Sequence, residues 1–149
     1  QYLIDNNVIK GTEYQLTDAL ENMKNKGLAF YTGEVNEWLD CGNKNATVQT
    51  NQRVLVNCGS EISKEAEIDS SQIIEPCCIA KGAKIVNSVV GPYVSVGEGT
   101  EILNSVVSNS IIQTNSVLAN VNITNSMVGN SVKMQKTAEE LSVGDYNEL

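Results

Sequence analysis

The sequence predicts a mainly β chain, with a parallel β-helix of about four coils over residues 58–149 and a small α/β segment over residues 1–57. Three observations carry this reading. Aliphatic side chains recur every five or six residues from Ile62 to Met134, Asn-Ser pairs recur between them, and aromatic residues make up only 5% of the chain. A chain with one Phe and one Trp cannot fill a broad core, whereas Ile, Val and Leu can fill a narrow one.

The periodic positions are Ile62, Ile68, Ile74, Ile79, Ile85, Val90, Val96, Ile102, Val107, Ile112, Leu118, Ile123, Val128 and Met134. A helix does not produce this spacing, because a step of six lands near its opposite face. A sheet of hairpins would show turn pairs such as Asn-Gly, and none occurs. Short strands that turn a corner every five or six residues do produce it. Three strands per coil place every third mark in one column. The columns are Ile62, Ile79, Val96, Ile112 and Val128; Ile68, Ile85, Ile102, Leu118 and Met134; and Ile74, Val90, Val107 and Ile123.

Asn-Ser occurs at 87–88, 104–105, 109–110, 115–116, 125–126 and 130–131. Asn tolerates the left-handed conformation that a sharp corner requires. Asn87, Asn104 and Asn120 are therefore expected to form a side-chain ladder along one edge. The tail from Lys136 leaves the repeat and is expected to cover the open end of the solenoid.

The first 57 residues follow other rules. Thr17 is placed to cap a helix whose apolar face carries Leu16, Ala19, Leu20 and Met23, and Gly27 is placed to end it. Residues 28–35 (LAFYTGEV) read as a strand. Residues 36–45 read as a loop or short strand, after which Asn45 caps a second helix running to about Leu55.

Composition narrows the chemistry. The net charge is −8 and Arg53 is the single arginine, which argues against nucleic-acid and anionic-membrane partners. No apolar run approaches the length of a membrane span, and no basic-apolar signal segment opens the sequence. Cys41, Cys58, Cys77 and Cys78 form no C-x-x-C pair, and they read as reduced thiols of a cytoplasmic protein. Histidine is absent. That removes the usual general base of an acyltransferase and the usual ligands of a zinc site.

Three stretches carry a family resemblance. GTEYQLTDAL (Gly11 to Leu20) followed by EWLDCG (Glu37 to Gly42) resembles the end of the catalytic domain of sugar-1-phosphate nucleotidyltransferases. GPYVSVGEGTEI (Gly91 to Ile102) is similar to the β-helix that follows in their longer members. The resemblance implies a left-handed coil, which the spacing alone does not determine. It makes residues 1–57 the C-terminal remnant of a nucleotidyltransferase domain. It also implies an activity in which nucleoside triphosphate and sugar 1-phosphate give nucleotide sugar and pyrophosphate, with dTDP- or UDP-glucose as products.

In that family the acidic residue of the W-L-D-[TC]-G element helps hold Mg²⁺ against the nucleotide phosphates. The matching residue is Asp40, with Trp38 and Gly42 shaping the loop. Glu13 matches a position beside the sugar site. The family's Gly-rich G-x-G-T-R-L loop has no counterpart in these 149 residues, so this chain alone is expected to be inactive, with no Mg²⁺ bound to it. The alternative is a non-catalytic β-helix module for oligomerisation or regulation. On either reading a homo-oligomer, dimer or trimer, is expected, because an orphaned strand at 28–35 and the flat prism walls invite association.

Overall fold

The computed structural model describes residues 1–137, 142, 143 and 145. The chain divides into two compact units, Gln1–Trp38 and Leu39–Leu149. The division falls at 38/39, so the helix that precedes the solenoid in sequence belongs to the solenoid's unit.

In the first unit, α1 spans Tyr2–Asp5 and α2 spans Leu16–Asn25. Gln15, not Thr17, stands at the N-cap of α2, and no side chain caps it. Thr17 lies inside the first turn, because Leu16 already has helical geometry. The C-terminus is as expected. Gly27 takes φ +84°, the Gly27 amide donates to the Lys24 carbonyl at 2.9 Å, and the Leu28 amide donates to the Met23 carbonyl at 3.2 Å. These two bonds define a Schellman end, which requires a left-handed residue at Gly27.

Residues 28–35 form no strand. A strand exists through its ladder, and these residues find no second strand to pair with among the described residues. Their apolar side chains stay in solvent, with Tyr31 90% and Val35 68% exposed.

The second unit begins with a turn at 39–43 and α3, Lys44–Cys58. Asn43, not Asn45, caps α3, its Oδ1 accepting from the Ala46 amide at 3.0 Å. Three parallel sheets follow, their strands numbered in chain order. Wall one holds β1 (Glu61–Ile62), β4 (Cys77–Ile79), β7 (Val94–Val96), β10 (Ser110–Ile112) and β13 (Met127–Val128). Wall two holds β2 (Glu67–Asp69), β5 (Lys84–Val86), β8 (Glu101–Leu103), β11 (Val117–Ala119) and β14 (Lys133–Gln135). Wall three holds β3 (Gln72–Ile73), β6 (Val89–Val90), β9 (Val106–Ser108) and β12 (Asn122–Thr124). Each strand pairs with the one a full coil away, which makes a parallel β-solenoid of about four turns, consistent with the left-handed β-helix expected.

The first two expected columns stand in register through every layer. The third is corrected at its base. Ile73, not Ile74, pairs with Val90 below Val107 and Ile123. Ile73 packs on the core while Ile74 is 41% exposed. Ile79, Ile85, Val90, Val96, Ile102, Val107, Ile112 and Leu118 are essentially sealed from solvent. Ile62 and Ile68 keep 38% and 40% exposure because β1 and β2 lie in the end layer, with core on one side only.

The corners are left-handed, as expected. Asn87, Asn104 and Asn120 take φ of 48°, 48° and 56° along one edge, and Asn109, Asn115 and Asn125 do the same on the other two. At 130–131 it is Ser131 that turns, at φ 57°. The amide ladder is partial. Asn87 Nδ2 donates to Asn104 Oδ1 at 3.4 Å, whereas Asn120 Nδ2 donates to the Lys136 carbonyl.

The serines beside those corners hold the coils together. Ser88 Oγ donates to the Val86 carbonyl in its own coil and accepts the Ser105 amide from the next. Ser105 Oγ repeats this with Leu103 and Val121, and Ser110 Oγ does so with Ser108 and Ser126. Thr100 and Ser116 extend the device along the third edge. These hydroxyls are the buried polar groups of the prism, and each satisfies a corner amide that no strand ladder reaches.

Among the described residues no helix is long and apolar enough to cross a membrane. The cap expected from Lys136 onward lies largely outside the described residues.

Candidate functional site

Asp40 sits in the turn that opens the second unit. Its Oδ1 accepts the Gly42 amide at 3.0 Å, closing an Asx turn. Its backbone carbonyl accepts Thr50 Oγ1 at 2.6 Å. The neighbouring Cys41 carbonyl accepts Thr47 Oγ1 at 3.2 Å. Gly42 suits this geometry, since a Cβ there would stand 3.3 Å from both Asp40 carboxylate oxygens. The carboxylate is solvent-exposed and has an oxygen free of the turn bond.

Helix α3 fixes that turn through its two faces. Val48, Asn51 and Leu55 follow the i, i+3, i+7 stripe of a packed face. Val48 is fully buried and Leu55 nearly so. Between them Ser95 Oγ, on β7, donates to Asn51 Oδ1 at 2.6 Å, and Asn51 Nδ2 donates to the Tyr93 carbonyl at 3.4 Å. At the start of the helix, Lys44 Nζ donates to the Asn125 carbonyl at 2.8 Å, and Asn125 Nδ2 donates to Asn45 Oδ1 at 3.3 Å. Thr47 and Thr50, one helical turn apart, form the adjacent face and hold the Asp40 turn. Sequence reasoning missed Thr47, Thr50, Asn51 and Ser95. The spacing of Thr47 and Thr50 beside an apolar stripe was the available signal.

The other candidates, Glu13 and Trp38, belong to the first unit. Glu13 closes a tight turn in the first unit, with the Lys10 amide donating to the Glu13 carbonyl at 3.1 Å and Gly11 at φ +66°. Its side chain is exposed. In the same unit Lys10 Nζ meets Asp18 at 2.8 Å, and this hydrogen bond raises the Lys10 pKa. Trp38, at the end of that unit, is 83% exposed.

A hard divalent cation suits a carboxylate oxygen, so Asp40 fits as one ligand of Mg²⁺. The rest of an octahedral shell must come from other oxygens, because no group of three His, Cys, Asp or Glu side chains gathers among the described residues. An open groove lined by Ser70, Ser71, Gln72, Asn87, Ser88 and Val89 has no ionisable side chain and offers no acid–base chemistry. Cys77 and Cys78 are poor nucleophiles, because burial pushes both thiols above their ordinary value of 9.0.

No family model matches the chain. It is 24% identical over 160 aligned residues to a glucose-1-phosphate thymidylyltransferase of Streptomyces antibioticus, covering 92% of this chain and 45% of that protein. It is 25% identical over 158 residues to the glucose-1-phosphate thymidylyltransferase of Streptomyces griseus, covering 91% and 44%. The chain thus spans less than half the length of these relatives, and over nine-tenths of its own sequence it is a distant homologue of glucose-1-phosphate thymidylyltransferases.

Proposed function

We propose that this chain is the C-terminal part of a sugar-1-phosphate nucleotidyltransferase that joins a nucleoside triphosphate to a sugar 1-phosphate and releases pyrophosphate. Alignment along almost the whole chain to two thymidylyltransferases carries this reading. It is supported by the turn at Asp40, which leaves a carboxylate oxygen free toward solvent. The likeness to glucose-1-phosphate thymidylyltransferases favours a deoxythymidine nucleotide and glucose 1-phosphate as substrates. The four free thiols favour a reducing, cytoplasmic setting.

In this reading Asp40 holds Mg²⁺, which when bound neutralises phosphate charge as a sugar phosphate oxygen attacks the nucleotide α-phosphorus. The protein's task is to keep that carboxylate in place before substrate arrives. The Gly42 amide fixes its rotamer, and Thr50 fixes the backbone beneath it. Glu13 contributes to sugar binding, and Trp38 and Gly42 shape the loop. These 149 residues contain no Gly-rich phosphate loop, so the chain by itself does not turn over nucleotide.

Pyrophosphate release from the complete gene product, with each NTP and with several sugar 1-phosphates, tests the reading. Mg²⁺-dependent release with dTTP or UTP and glucose 1-phosphate is expected. Asp40→Asn is expected to lower the rate by about a hundredfold or more, as loss of such charge stabilisation does. A rate within about twofold of the parent's would remove Asp40 from the metal site. Release with no NTP would favour the second reading, an oligomerisation or regulatory module. Walls two and three, which α3 does not cover, give that reading its surface.

Self-association is also proposed, on a changed premise. No orphaned strand exists at 28–35, but Phe30, Tyr31, Val35 and Trp38 are each more than half exposed. Apolar side chains in such density call for cover, from the rest of the protein or from a second copy.

A further inference from the structure

We infer that the solenoid is part of the active-site scaffold, with Thr50 and Asn51 as positioning residues that hold the Asp40 turn against it. This rests on the proposed nucleotidyltransferase reading and extends it from Asp40 and Thr50 to Asn51 and the prism.

Neutral hydrogen bonds at two consecutive residues of α3 tie the prism to the backbone of Asp40. Ser95 on β7 donates to Asn51 at 2.6 Å, and Thr50, the preceding residue of α3, donates to the Asp40 carbonyl at 2.6 Å. Consecutive helical residues point about 100° apart. One helix therefore grips the solenoid with one residue and the turn with the next. Asn51 is well suited to its place. Its amide accepts from a side chain and donates to the Tyr93 carbonyl, so it reads both a strand and a corner of the prism. An aliphatic residue in that stripe would pack but would not fix the helix along its axis. Val48 and Leu55, buried on either side, remove water from the junction. Thr47 Oγ1 lies 2.9 Å from the Asn43 carbonyl of its own helix and also reaches the Cys41 carbonyl at 3.2 Å, a weaker contact with the turn.

The bond to Asp40 goes to its backbone, not to its carboxylate. It restrains position while leaving the carboxylate free for a cation. A loop held only by its own Asx turn would sample several orientations, and each would have to be reordered on binding metal. The solenoid lowers that cost because it is a stack of strands bonded along their length.

Three variants test this anchoring: Thr50→Val, which keeps the shape and loses the hydroxyl; Asn51→Ala; and Thr50→Ser, which restores a hydroxyl. Ser108→Ala on wall three serves as control. In the 149-residue chain, hydrogen exchange is followed at the Gly42 amide, the bonded amide of the turn, with thermal unfolding to confirm that each variant folds. Thr50→Val and Asn51→Ala are expected to raise exchange at this amide about tenfold, the factor for one lost hydrogen bond. Thr50→Ser and the control are expected to match the parent. In the complete gene product, the Mg²⁺ concentration for half-maximal pyrophosphate release is expected to rise about tenfold in Thr50→Val and Asn51→Ala, and Thr50→Ser is expected to restore it.

Unchanged exchange in Thr50→Val and Asn51→Ala would overturn the anchoring. Faster exchange without a change in Mg²⁺ dependence, in an enzyme that Asp40→Asn inactivates, would overturn positioning and leave the proposed function standing. An enzyme indifferent to Asp40→Asn would overturn the function itself, and the positioning claim with it, whatever the exchange rates.

Discussion

Replacing Ser105 by Ala tests whether the buried hydroxyls hold successive coils together. Ser105 is 3% exposed. Its Oγ donates to the Leu103 carbonyl at 2.6 Å and accepts the Val121 amide, sixteen residues ahead, at 3.1 Å. Alanine fits the same space but leaves the Val121 N–H facing a methyl group, with both residues nearly sealed from solvent. The Leu103 carbonyl suffers less, since it still accepts the Asn120 amide at 3.0 Å. An unsatisfied buried donor costs about 1–3 kcal/mol, so the central expectation is about 2 kcal/mol. For a chain of this size that lowers Tm by about 4–8 °C. Solenoids can open coil by coil, so a single melting curve can hide a local effect. Amide exchange at Val121 and Asn122 is therefore read alongside it. Ser108→Ala, which removes a surface bond to Thr124, should stay within about 0.5 kcal/mol. A Ser105→Ala protein within the same 0.5 kcal/mol, with exchange at Val121 unchanged, would show that the hydroxyl ladder does not carry inter-coil stability.

Three further perturbations probe the fold. Gly91→Ala should be among the most damaging single changes: its φ is +117°, and the new Cβ would lie 1.9 Å from the Ile74 carbonyl oxygen and 2.9 Å from Cys77 Sγ. A loss of about 3 kcal/mol or more is expected by denaturant unfolding, with exchange rising first in β3 and β6. Asn104→Ala, at φ 48°, should cost about 1 kcal/mol, whereas Asn104→Gly should cost less, because only glycine takes that conformation freely. Burial raises the Cys77 thiol above 9.0, so the fold favours its protonated form. That contribution is complete below the unfolded value and is lost as pH rises through the folded one. Between about pH 8 and pH 10 the denaturation midpoint should fall less in Cys77→Ser than in the parent. A thiol reagent near pH 8 should modify exposed Cys41 and Cys58 well before Cys77.

The prism was legible because its cause is local and repetitive. A coil must return each inward side chain to the same wall, so the aliphatic spacing reports the coil directly. Thirteen of the fourteen marks lie on their columns, and the exception is instructive. With Ile73 in place of Ile74, the steps from wall one to wall two are always six, and those from wall two to wall three always five. Only the return to wall one varies, from six in the coils that turn at Pro76 and Pro92 to five in those that turn at Asn109 and Asn125. Two adjacent isoleucines hid the register, and regularity across coils would have chosen between them. The serines were visible as halves of Asn-Ser pairs, but their role depends on an amide sixteen or seventeen residues away. The strand at 28–35 failed for the opposite reason. Its residue types were a local signal, while a strand's existence depends on a partner. The resemblance singled out Asp40, but nothing in it pointed to the Thr50 and Asn51 contacts, because they join residues that only the fold brings together.

The length of α3 completes the physical account of the second unit. The helix begins beside Asn125 and reaches Ser95 seven residues later, at Asn51. Seven residues of helix rise about 10 Å. Asn125 and Tyr93 lie at the same edge two coils apart, and two strand layers span nearly the same distance, about 9.6 Å. The helix thus runs down the stack opposite to the direction in which the coils are built. Seven more residues bring it to Cys58, where the same arithmetic places it two layers below β7, at the level of β1. Gly59, at φ 80°, turns the chain there, and β1 begins at Glu61. A helix one turn shorter would leave the chain a layer above its first strand. A longer one would carry it past the end of the prism. The fifteen residues of α3 therefore have two duties that fix its length and its polarity. Its first turns hold the Asp40 loop near the upper coils, and its last turn delivers the chain to the base of the solenoid. A deletion of four residues after Asn51 would nearly keep the helical phase but remove Leu55 and about 6 Å of descent, detaching β1 from β4 while leaving the Asp40 turn anchored through Thr50 and Asn51. Loss of exchange protection confined to the first coil is the expected result, and protection lost at the Gly42 amide instead would show that the two ends of α3 are not independent.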